Sequence, residues 1–78
     1  MNERAMADFS ERIKELRFQN GMTQDDVGKI IGVKRTSIYT YEKGLNYPEV
    51  RGLITLADYF GVSLDYLVGR TDNPEINK

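Results

Sequence analysis

Arg35, Thr36, Tyr39 and Thr40 stand at i, i+1, i+4 and i+5, a spacing that gathers all four on one side of a helix. Their chemistry suits reading more than reacting. An arginine fork pairs bidentately with guanine O6 and N7, threonine hydroxyls donate or accept, and threonine methyls suit the thymine C5 methyl. Tyr39 fits a thymine methyl or sugar, a protein partner, or plain exposure. Ile38 and Tyr41 fall on the opposite side with small Ser37 beside them, so the polar side must face outward. What is missing narrows the chemistry further. The chain has no Cys and no His, which removes Ser-His and Cys-His nucleophiles and the common transition-metal sites. The expectation is therefore no catalytic residue, no cofactor and no metal. The adjacent acids Asp25-Asp26 are accounted for by the positive end of a helix dipole.

An outward face of this kind needs a rigid mount, and the flanking sequence supplies one. Thr23 caps a helix over 24–31 whose apolar stripe is Val27, Ile30 and Ile31. Gly32 ends it. Gly32-Val33 leaves a turn too short for antiparallel helices before a third helix runs from Arg35 to about Lys43, stopped by Gly44. Gly28 and Ser37 are small where the two helices must cross, and Val27, Ile31, Val33, Ile38 and Tyr41 pin the pair to the remainder. Gly28 costs about 1 kcal/mol of helix propensity against Ala, which makes sense if another helix backbone passes very close. Residues 24–43 thus read as a helix-turn-helix, a crossed pair that projects the outer side of its second helix.

The rest of the chain packs around that pair. A first helix over 7–20 turns Phe9, Ile13 and Leu16 inward, leaves Phe18 half exposed and ends at Gly21. Leu45-Asn46-Tyr47 form a loop, and Pro48 suits the first position of a fourth helix. That helix covers about 49–60, buries Leu53, Leu56, Ala57 and Phe60, and is interrupted by Gly52. Ser63 caps a short fifth helix through Val68. The expected fold is all-α: a compact five-helix domain over 1–70, then a polar, frayed tail over 71–78.

Length and charge agree with a small binding domain. The 78 residues, 40% hydrophobic and 29% charged, suit one soluble domain with an economical core. No apolar run approaches the ~20 residues of a membrane span, residues 1–10 do not read as a signal peptide, and the lack of Cys fits a cytoplasm. Net charge is −1, but residues 34–43 carry +2 while 1–33 carry −1 and 44–78 carry −2. The only positive segment is the third helix and its start. Lys34 stands where a capping side chain belongs, and a cation there opposes the helix dipole. A nearby phosphate would offset both costs; the alternative is a lysine pointing into solvent.

The motifs resemble those of the Cro/phage-repressor (Xre-like) helix-turn-helix family of transcriptional regulators. The resemblance rests on Arg17, on Gly21-Met22-Thr23-Gln24, on the Gly32-Val33 turn, and on Ile38, Tyr41, Glu42 and Gly44 at their spacing. Pro48 and the ending Gly61-Val62-Ser63-Leu64-Asp65-Tyr66-Leu67 extend it, so that it covers about residues 8–69. It departs from the family at Gly28, often Ala, and at Lys34, often Ser or Thr. Gly52 is a third irregularity. The resemblance implies a third helix in the major groove, with Arg35, Thr36 and Thr40 at base edges. It also implies Thr23, Gln24, Lys43 and Asn46 on phosphates, and an ion pair between Arg17 and Glu42. The implied partner is a pseudo-palindromic double-stranded DNA operator read by a homodimer, in a bacterial or prophage setting.

A lone domain makes few base contacts, and such operators are usually read by dimers. The fifth helix, through some of Leu64, Tyr66, Leu67 and Val68, is the expected surface. The expected function is a DNA-binding repressor. Two alternatives keep the same fold: an antitoxin-like module that holds a protein, and an activator or restriction-modification controller. A protein groove would want aliphatic anchors on the outer side of the third helix, which favours DNA.

Overall fold

The computed structural model describes residues 2–76, with side chains from Phe9 to Ile76. Met1 and residues 77 and 78, at the limits of the expected domain and tail, lie outside it. Among the described residues the chain is all-helical: α1 (Asn2–Gln19), α2 (Gln24–Ile31), α3 (Arg35–Glu42), α4 (Val50–Phe60) and α5 (Leu64–Leu67). α1 begins earlier than the apolar periodicity indicates, because Glu3, Arg4, Ala5, Met6 and Ala7 favour helix without contributing to that pattern. Pro48 is not the first residue of α4; Glu49 is the N-cap, and Pro48 precedes it. There the ring is buried beside Gly52, where an added Cβ would lie 3.1 Å from the Pro48 Cβ.

One core joins every helix. α1 contributes Phe9, Ile13 and Leu16, α2 Val27, α3 Ile38 and Tyr41, α4 Leu56 and Ala57, the link after α4 Val62, and α5 Leu67. Phe9 meets Tyr41 and Tyr47 edge-to-face, with ring centroids 6.4 and 5.6 Å apart. Ile30, Ile31, Leu53 and Phe60 close the edges half-buried.

α2 packs chiefly on α3, and the reason for Gly28 lies in the turn between them. A Cβ there would lie 2.5 Å from the Val33 carbonyl oxygen. The close neighbour is thus the backbone of the turn and not that of another helix. The same Gly28 accepts, through its own carbonyl, the Val33 N–H at 2.9 Å. Each end of the turn holds the other, and the crossing of α2 and α3 is fixed as a unit.

The chain beyond α5 is polar, as expected, but its residues 71–74 are docked and not frayed. Ser63 N–H donates to the Pro74 carbonyl at 2.9 Å. Arg12, from α1, donates to the carbonyls of Tyr66 (2.6 Å) and Thr71 (2.9 Å) and to the Asp72 carboxylate (2.8 Å). Its guanidinium also lies 3.9 Å from the centre of the Tyr66 ring.

Candidate nucleic-acid interface

The outward side of α3 follows from what its inward side must do. Ile38 is fully buried and Tyr41 is 6% exposed. Burial first, and the Glu49 charge second, raise the Tyr41 hydroxyl above its ordinary pKa. With those two side chains inside, Arg35, Thr36 and Tyr39 are exposed and Thr40 is half-buried at the edge. The eight residues of α3 span about 12 Å, and a major groove about 12 Å wide admits such a helix.

Three basic residues frame this side. Lys34 is the N-cap of α3, has extended backbone (φ −79, ψ 160) and makes no side-chain cap bond. The N-cap side chain therefore offers the first-turn amides no acceptor. Lys43, just past α3, holds its ammonium 5.5 Å from the centre of the Tyr39 ring, within cation–π range. Arg35 is exposed between them. The acid of this segment, Glu42, is turned away from that side and paired, so the charge balance read along the sequence understates how positive the surface is.

Arg17 Nε lies 2.6 Å from Glu42 Oε2 and Arg17 Nη2 lies 3.0 Å from Oε1, a two-point fork between the end of α1 and the end of α3. The side chains are 12% and 6% exposed, and Arg17 Nη1 also donates to the Met22 carbonyl. The bond to Glu42 raises the Arg17 pKa, with burial opposing. Gln24 Nε2 donates to the same Glu42 Oε1 at 3.2 Å. Gln24 is thereby held at the start of α2 by the residue that ends α3, a contact that composition and periodicity do not disclose.

Thr23 forms a capping box with Asp26: its hydroxyl accepts the Asp26 N–H at 3.0 Å, and its own N–H donates to Asp26 Oδ2 at 3.0 Å. The Thr23 N–H first, and the Thr23 hydroxyl second, hold the Asp26 carboxyl below its ordinary pKa. The Thr-x-x-Asp spacing was a legible signal for this arrangement. Thr40 and Asn46 are also brought together. The Thr40 hydroxyl lies 2.7 Å from the Ser37 carbonyl and 2.7 Å from the Asn46 side-chain amide.

The fifth-helix residues separate by exposure. Leu67 is fully buried and belongs to the core, Leu64 is 38% exposed, and Tyr66 and Val68 are half-buried. Val68 lines an open apolar hollow with Phe9, Tyr47, Pro48 and Leu53. Among the described residues, no cluster of acids, His or Cys could hold a metal, and no helix is long and apolar enough to cross a membrane.

Comparison with known proteins gives a consistent result. A family model described as helix-turn-helix matches residues 13–67. The chain is similar to an uncharacterized HTH-type transcriptional regulator, YqaE, of Bacillus subtilis, at 34% identity over 87% of this chain and 59% of that protein. It is similar to the cryptic phage CTXphi transcriptional repressor RstR of Vibrio cholerae, at 33% identity over 82% and 58%. It is also similar to the HTH-type transcriptional activator BcrR of Enterococcus faecalis, at 31% identity over 78% and 30%. The chain thus spans less than two thirds of the length of these relatives.

Proposed function

The chain belongs to the Cro/phage-repressor (Xre-like) helix-turn-helix family of transcriptional regulators, and from that premise we propose that it is a repressor. In this reading it binds a pseudo-palindromic operator in double-stranded DNA as a dimer. The observation that carries this reading is the outward side of α3. It offers Arg35, Thr36, Tyr39 and Thr40 between Lys34 and Lys43, while Glu42 is folded inward onto Arg17. Arg35, Thr36, Tyr39 and Thr40 read base edges; Thr23, Gln24, Lys34, Lys43 and Asn46 meet phosphates or the adjoining backbone. The likeness to a phage repressor favours repression; the likeness to an activator makes activation the competing outcome.

The test begins with selection of preferred sequences from a pool of random duplexes. Arg35→Ala lowers affinity for the selected operator by about 1–3 kcal/mol and relaxes preference at one base pair per half-site. Lys43→Ala weakens all sequences alike and lowers the salt slope by about one per subunit. Equal weakening of operator and scrambled DNA by Arg35→Ala would make Arg35 a phosphate contact. For self-association, the exposed part of the fifth helix, Leu64 with Tyr66 and Val68, supplies the surface, while Leu67 supports it from the core. Sedimentation with operator distinguishes two chains per site from one. A reporter whose promoter overlaps the selected site falls under repression and rises under activation.

A further inference from the structure

Thr40 is tied to the loop beyond α3 by both its backbone and its side chain. Its carbonyl accepts the Leu45 N–H at 2.9 Å, while the Gly44 N–H donates to the Tyr41 carbonyl at 3.1 Å. This pair of bonds closes the helix with Gly44 in the left-handed region at φ 75. Its hydroxyl lies 2.7 Å from the Ser37 carbonyl and 2.7 Å from the Asn46 amide. A threonine hydroxyl has one proton. The assignment of amide oxygen and nitrogen in Asn46 is interchangeable, and one arrangement satisfies both contacts: the hydroxyl donates to Ser37, and Asn46 Nδ2 donates to the hydroxyl. Either way the single Thr40 proton is consumed within the protein.

That has a consequence for what Thr40 can read. Guanine O6 and N7, adenine N7 and thymine O4 are all acceptors and need a donor, which Thr40 no longer has. Oγ1 and Cγ2 occupy staggered positions on the same Cβ, so pinning the hydroxyl also fixes the methyl. Thr36 differs: among the described residues its hydroxyl has no hydrogen-bond partner, and the side chain is exposed. We infer that Thr40 reads the C5 methyl of a thymine through its own methyl, with its hydroxyl reserved for the latch to Ser37 and Asn46. This rests on the proposed docking of α3 on DNA and specifies the chemistry at one of its positions. Asn46 is then a positioning residue for Thr40 as well as a neighbour of the DNA backbone.

Deoxyuridine lacks only the C5 methyl, so it is the probe. Each thymine in one half-site of the selected operator is replaced in turn. The wild-type chain loses affinity about fourfold at the thymine that Thr40 meets, the worth of one buried methyl. Thr40→Val keeps a branched methyl without the latch that fixes it, and it retains part of that loss. Thr40→Ser keeps the hydroxyl without the methyl, and at that thymine it binds uracil and thymine alike. If Thr40→Ser keeps the full uracil penalty at every thymine, Thr40 does not read by its methyl. An operator bound selectively but indifferent to every uracil overturns this inference and leaves the DNA reading intact. Failure to select any preferred duplex overturns the DNA reading, and this inference with it.

Discussion

The Glu42 carboxylate is approached by three side-chain N–H groups, two from Arg17 and one from Gln24, and is almost wholly enclosed. Such a pair contributes less by its own attraction than its loss would cost, because removing one partner leaves the other charge buried and uncompensated. Glu42→Ala is expected to destabilise the domain by about 3–5 kcal/mol, which lowers the thermal midpoint by at least about 12 °C in a chain of this size. A midpoint within error of the wild type would show that Arg17 finds water or another acceptor when Glu42 is gone. The identities of these two residues were legible in the sequence only through the family resemblance, since they stand 25 positions apart. Arg12 was not legible at all. Its partners are mostly backbone carbonyls, which carry no sequence signal, and its acid, Asp72, lies in a stretch that composition assigns to a loose tail.

At the scale of elements, the cost of an unusual residue can be separated from its use. Gly28→Ala gains about 1 kcal/mol of helix propensity but places a Cβ 2.5 Å from the Val33 carbonyl oxygen. The obstructing atom is backbone, so the turn itself has to move, and overpacking of this kind costs about 1–3 kcal/mol. The expected outcome is a lower urea midpoint together with weaker operator binding, since the angle of α3 shifts with the turn. A higher midpoint would mean that the turn yields easily. Lys34→Ser should do the opposite to stability. Serine supplies the missing cap and raises stability by about 0.5–2 kcal/mol, while loss of the cation lowers DNA affinity and flattens its salt dependence. A midpoint that rises with no change in binding would place Lys34 in solvent. Helix positions and caps were legible because propensity and period act locally. The exact role of Pro48 was not, because whether a proline is the first helical residue or the one before the cap depends on how Glu49 is held.

At the scale of the whole molecule, α1 meets both α3 and the end of the chain. Its Phe9, Ile13 and Leu16 side supports α3, and Arg12 holds α5 and residues 71–72. Arg12→Ala removes a charged donor to two carbonyls and a carboxylate, and is expected to cost about 2–3 kcal/mol. Arg12→Lys should restore little of this, because an ammonium's donors radiate from one nitrogen and cannot span acceptors that Nη1 and Nη2 reach separately. Amide exchange at Ser63, whose N–H donates to Pro74, reports the release of the segment directly. Unchanged exchange at Ser63 would show that the segment is held without Arg12. The all-helical architecture and the core were legible from apolar spacing, and the outward side of α3 followed from them. The closure of the chain upon itself was not, because it depends on contacts between positions with no local pattern in common.

The Arg12 clasp also sets an order of events in time. Its partners lie 54, 59 and 60 positions along the chain. Bringing such distant points together carries more loop entropy than forming contacts between neighbouring helices, so the clasp is expected to close after the folding barrier has been crossed. Contacts absent from the barrier state act on escape from the folded state and leave its formation untouched. Arg12→Ala should therefore leave the refolding limb of a stopped-flow chevron in place and raise the unfolding rate about 30- to 150-fold. A slowed refolding limb would mean that the two ends of the chain meet early. With late closure, the residence time of the folded state would depend strongly on one guanidinium that is not part of the side of α3 proposed to meet DNA.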